Sequence, residues 1–93
     1  MIRHIVCHQY NDKAEAEKIK PMLLSLKGKV PSLRDMEVGV DVLESKRSYH
    51  LCAICTFDDL AGLTAYKEHP AHVAVRDYIH SVMASSVSVD FEV

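Results

Sequence analysis

The sequence predicts an α+β domain: a four-stranded antiparallel sheet with helices on one face, connected β-α-β-β-α-α-β. Three observations predict it. Ninety-three residues, 48% apolar and 26% charged, suffice for one packed core and are too few for two, so residues 1–93 form a single domain. Apolar side chains alternate with polar ones over Met36, Val38, Val40 and Val42, and again over Val87, Val89, Phe91 and Val93, which is the period of a strand. Ile19, Met22, Leu23 and Leu26, and later His72, Val75, Ile79 and Val82, recur at helical spacing.

The first strand runs from Ile2 to Tyr10, with Ile2, His4, Val6, His8 and Tyr10 on one face and Arg3, Ile5, Cys7 and Gln9 on the other. Asn11-Asp12 stops it. Asp12 followed by Glu15 has the spacing of a capping box. The helix that follows carries Pro21, which lacks the N–H for the ladder and predicts a kink or break there, and Gly28 ends it. The second strand is the alternating run to Val42. Glu44 to Ser48 is polar and reads as the hairpin connection, and Tyr49 to Phe57 is a strand apolar on both faces. Asp58-Asp59 offers an N-cap to a short helix bearing Leu60, Leu63 and Tyr66 on one stripe. His69-Pro70 breaks that helix, and Pro70 suits the first turn of the next. The last strand closes the chain. This is the ferredoxin-like βαββααβ plan, with its final helix divided in two.

Charge and composition exclude several classes. The formal net charge is −2, whereas nucleic acid selects basic patches. No apolar run approaches the ~20 residues that cross a bilayer, and Met1 to Cys7 is too short and interrupted for a secretory signal. The expectation is a cytoplasmic protein without nucleic-acid or membrane partners. Three cysteines do not make a disulfide framework. Cys52 and Cys55 have redox-motif spacing, but three residues apart on a strand they point to opposite faces, and free thiols are expected. His4 and His8 share a face about 13 Å apart along a strand, too far to chelate one ion, so no metal site is expected. His50 and His80 read as surface residues. With helices on one face only, the apolar residues on the other face of the first and third strands would lie bare. Burial against a second copy of the chain covers them, so a homodimer is expected.

Four runs resemble a known family. Met1-Ile2-Arg3-His4-Ile5-Val6 at the start, Val30 to Gly39, Tyr66-Lys67-Glu68-His69-Pro70-Ala71-His72-Val73 and Val89-Asp90-Phe91 are similar, in the same order, to segments of the stress-responsive dimeric α/β-barrel family. The resemblance implies a ferredoxin-like homodimer whose two sheets close a barrel. The family includes stress-associated plant proteins, bacterial members without a known role and a branch of plant polyketide cyclases. In that branch the residues matching Tyr66 and His72 carry acid–base work, and those matching His4 and Asp90 lie in or beside the pocket. This chain departs from the family at Pro21, and at His8, where relatives commonly carry an apolar residue.

The candidate site follows from the residues as well. His72 and Tyr66 lie on the apolar stripes of their helices, and His4 and Asp90 lie mid-strand between apolar neighbours. A buried polar group requires a partner; for Asp90 the candidates are His4 and His72, and convergence of the four on one cavity supplies it. In one reading the cavity takes a small apolar or phenolic ligand. His72 is then general base on a carbon next to a carbonyl, Tyr66 hydrogen-bonds the developing oxyanion, Asp90 orients the imidazole and His4 adds a donor. That chemistry is cyclase- or isomerase-like, and no Gly-rich phosphate loop implies an organic cofactor. In the other reading the polar groups only specify packing, and the protein is a non-catalytic, stress-associated homo-oligomer.

Overall fold

The computed structural model describes all 93 residues. Its elements are β1 (Ile2–Tyr10), α1 (Glu15–Leu24), β2 (Asp35–Val40), β3 (Leu51–Phe57), α2 (Leu60–Glu68), α3 (Pro70–Val82) and β4 (Met83–Glu92). The sheet order is β2-β3-β1-β4 and every pair is antiparallel, so the fold is ferredoxin-like. No helix is long and apolar enough to cross a membrane.

The period-2 pattern puts Leu51, Ala53, Cys55 and Phe57 of β3, Met36 and Val38 of β2, and Ile2, His8 and Tyr10 of β1 under the helices, all buried. Phe57, Ile19, Leu26, Leu51, Val30 and Cys55 are the largest fully buried side chains of the core. Cys52 faces the other way, as residues three apart on a strand must. It sits directly across from Cys7, and burial, together with that neighbour, pushes its thiol up to about 11.

Several local expectations are corrected. Asp12 does not form a capping box. Its carboxylate accepts from Ala14 N–H at 2.9 Å, while Glu15 instead accepts the Tyr78 hydroxyl at 2.6 Å, a tertiary contact that the helix-start pattern cannot show. α1 runs through Pro21 unbroken. Pro21 and Glu17, whose carbonyl loses its ladder donor, are both exposed, so water can satisfy that oxygen. The α-helix ends at Leu24, before Gly28, and the chain continues in turns to Val30. Gly28 still has a turn function, at φ +92°. β2 stops at Val40, and Val42 is 94% exposed, because β3 begins at Leu51 and offers Val42 no ladder partner. Leu60 is exposed while Leu63 and Tyr66 are buried, so the buried stripe of α2 begins one turn in, at Leu63.

Two caps set the helices that matter for function. The Asp59 carboxylate accepts from Gly62 N–H at 2.8 Å at the start of α2. At the α2–α3 break, His69 is extended before Pro70 and its imidazole Nδ1 accepts from Ala71 N–H at 3.1 Å. The break turns α3 so that His72 comes back over the end of α2.

The face of the sheet away from the helices has no cover within the chain. Ile54, Ile5 and Val89 form one row across β3, β1 and β4, with Thr56, Arg3 and Phe91 in the next aligned row. Val87, Val89 and Phe91 are exposed.

Candidate functional site

A cavity of about 380 Å³ lies between the sheet and α2–α3, with Ser86 and Ser88 of β4 in its wall. Its wall includes His4, Tyr66 and His72, each brought by a different element: β1, α2 and α3. A second hollow of about 470 Å³ lies at the far end of β1, against the β2–β3 loop. It is mainly polar, none of the four candidate residues reaches it, and the Lys13–Glu44 ion pair lies within it.

His72 is half-buried. Its Nδ1 lies 3.2 Å from the backbone carbonyl of Lys67. A carbonyl only accepts, so Nδ1 carries the proton and donates it, and in the neutral ring Nε2 is left with its lone pair. Burial holds the imidazole below its ordinary pKa, while the Lys67 carbonyl opposes that shift and the charges of Arg76, His4 and Lys67 add to it. His72 is therefore a neutral ring with a free basic nitrogen near pH 7.

Tyr66 is buried, its ring centroid 4.3 Å from that of His72 and 5.2 Å from that of Phe57. Burial, with the adjacent Cys55 thiol, raises its pKa far above the ordinary phenol value. It stays a protonated hydrogen-bond donor across the whole neutral range. Cys55 is itself pushed up to about 11, mainly by burial, so it is a packing thiol and not a nucleophile.

Asp90 does not orient His72. It is not part of the cavity wall, and its carboxylate pairs with His4 Nδ1. The reason is register: β1 and β4 pair with His4 directly opposite Asp90, close enough for side chains on one face to meet. The Lys67 carbonyl takes the orienting position at His72. Asp90 instead fixes the ring of His4, whose side chain is only 13% exposed.

The family model for the stress responsive A/B barrel domain matches residues 2–93. The chain belongs to this family. Among solved structures, it is similar to a dimeric ferredoxin-like protein of unknown function from Bacteroides fragilis, at 25% identity and TM-score 0.89, covering 99% of this chain and 95% of that one. A dimeric ferredoxin-like protein of unknown function from Thermobifida fusca matches at 28% identity and TM-score 0.86, covering 99% and 90%. A hydroxynitrile lyase from Passiflora edulis matches at 16% identity and TM-score 0.83, covering 99% and 92%; at that identity the shared property is the fold. Among curated proteins the sequence finds no match.

This stress responsive A/B barrel domain has cavity residues that the sequence did not assign to the site. His8 is buried and lines the cavity beside His80. Its Nδ1 lies 3.0 Å from the Tyr10 hydroxyl. Burial, with smaller contributions from His80 and His4, lowers its pKa to about 4. The signal was present, since His8 shares a strand face with His4. His80 is exposed at the cavity wall. His50, expected at the surface, is half-buried. It stacks on Tyr10, and its Nδ1 accepts from Tyr10 N–H at 2.9 Å, because the backbone bond from His50 N–H to the His8 carbonyl carries the chain back against β1. Arg76 also lines the cavity, one turn after His72 on α3.

Proposed function

We propose that the protein is a cofactor-independent acid–base catalyst of the cyclase or isomerase kind, acting on a small, largely apolar or phenolic carbonyl compound held in the cavity. The observation that carries this reading is the His72 geometry: Nδ1 donated to the Lys67 carbonyl, Nε2 free, and the ring against Tyr66 in a wall shared with His4. His72 Nε2 takes a proton from carbon next to the carbonyl. The Tyr66 hydroxyl stabilises the enolate oxygen, and its high pKa keeps it a donor. His4, held by Asp90, supplies a further ring nitrogen. A positioned base of this kind contributes roughly 10²–10⁴-fold.

The reading includes a homodimer in the cytoplasm. The apolar row Ile54–Ile5–Val89 on the uncovered sheet face supports the dimer, as does the dimeric state described for the Bacteroides fragilis and Thermobifida fusca proteins. The same apolar face favours a second reading, a non-catalytic stress-associated assembly in which the cavity has no substrate.

Deuterium uptake separates the two. In D2O at pD 7.5, 4-phenylbutan-2-one should exchange the protons next to its carbonyl faster with protein than in buffer. His72→Ala should return the rate to that of buffer, and Tyr66→Phe should lower it by roughly 10–100-fold. Exchange equal in wild type and His72→Ala leaves the assembly reading.

A further inference from the structure

The whole chain carries a formal net charge of −2, yet the cavity wall carries the opposite sign. Its fully charged members are Lys67 and Arg76, and it includes no carboxylate. The four imidazoles of His4, His8, His72 and His80, with the Tyr66 phenol and Cys55 thiol that burial keeps protonated, complete its titratable lining. Both cations bear on the reactive imidazole, since each disfavours a proton on His72. The nearby carboxylates do not cancel them. Asp90 is taken up by His4, and Asp77 reaches Arg76 only through one contact at 3.4 Å between largely exposed groups, a pair of small strength. The rest of the lining is largely apolar, with Val6, Leu23, Ala53, Ile79 and Met83.

The spacing on α3 completes the argument. His72 and Arg76 are four residues apart in α3, so their Cβ atoms are neighbours on one helix face, about 5–6 Å apart. A guanidinium there can grip a planar two-oxygen anion in a fork and hold the adjoining carbons at His72 Nε2. Phosphate sites are commonly formed by Gly-rich backbone nests or by free helix N-termini. The α3 N-terminus is already capped by His69, which favours a carboxylate.

Building on the proposed acid–base function, we propose that the substrate is a small monocarboxylate with an apolar body, its carboxylate held at Arg76 with Lys67 beside it, one helical turn from the His72 base. The apolar body lies against Ile79, Leu23 and Met83. Arg76 is in this reading the specificity residue of the site.

Calorimetric titration with 4-butylbenzoate and its neutral counterpart 4-butylbenzamide tests this at pH 7.5. The two probes share shape and differ in charge. Wild type should bind the acid roughly tenfold or more tightly than the amide, as expected for a charge-assisted fork. Arg76→Gln should bring the acid down to the amide, Arg76→Lys should keep part of the gap, and Lys67→Gln should narrow it, with helicity by circular dichroism verifying each fold. Acid and amide bound equally by wild type would overturn the proposal while leaving the cavity as a ligand site. A gap that survives in folded Arg76→Gln and Lys67→Gln would overturn the assignment to these residues. No binding of either probe would overturn this proposal together with the ligand-site reading it rests on.

Discussion

His4 and Asp90 face each other across β1 and β4, and the His4 imidazole Nδ1 donates to the Asp90 carboxylate. His4 shares the cavity wall with His72 while Asp90 lies outside it, so the site has two imidazoles oriented by different partners, one held by a carboxylate and one by a backbone carbonyl. A charge-assisted bond of this kind contributes about 1.5–3 kcal/mol when little exposed; the Asp90 side chain is 36% exposed, so the lower end applies. Asp90→Ala should lower stability by about 1.5 kcal/mol in urea titration. An unchanged midpoint would show that the pair is not formed.

His8 predicts an acid sensitivity. Its pKa falls from 6.5 in the unfolded chain to about 4 in the fold. Between those values the unfolded chain binds more protons than the native one, so stability is full above pH 6.5 and is lost as pH falls towards 4. Discounted for water entering from the cavity, the loss is about 2 kcal/mol. His72, also lowered, adds to it in the same direction. Urea midpoints of wild type and His8→Gln at pH 7 and pH 4.5 measure the His8 share; equal pH dependence of the two proteins would contradict it.

The uncovered sheet face predicts a charge-sensitive assembly. Val89 is 61% exposed in the single chain and ends the Ile54–Ile5–Val89 row on the edge strand β4. Val89→Asp would bury an unpaired carboxylate in a two-sheet interface. Light scattering at micromolar concentration should give a dimer for wild type and a monomer for the variant. A monomeric wild type, or a variant that stays dimeric, would contradict the expectation.

The Asp59 cap starts the helix that carries Tyr66. Asp59→Ala removes the acceptor for Gly62 N–H and should cost about 1 kcal/mol, read as a lower thermal midpoint; Asp59→Ser should restore most of it.

The element order and most strand faces were legible in the sequence, because alternation at Met36 to Val40 and helical spacing at Ile19 to Leu26 report local geometry. His69-Pro70 likewise marked the break that brings His72 over α2. Which of His4 and His72 partners Asp90 was not legible. Pairing it with His4 needs the β1–β4 register, which is set by nine residue pairs along the strands, with an irregularity at Gln9/Tyr10. Nor was the Lys67 carbonyl, since backbone groups carry no residue signature. Val42 misled because alternation continued past the end of the partner strand. His50 read as surface from polarity alone, where stacking on Tyr10 decides its position.

The central claim is that His72 is a neutral base with Nε2 free. Histidine 15N resonances followed against pH test it most directly. The account predicts that His72 titrates below pH 6.5 and that its neutral ring is protonated at Nδ1, with Nε2 bare. A His72 that titrates above 6.5, or whose neutral ring carries its proton on Nε2, would contradict it.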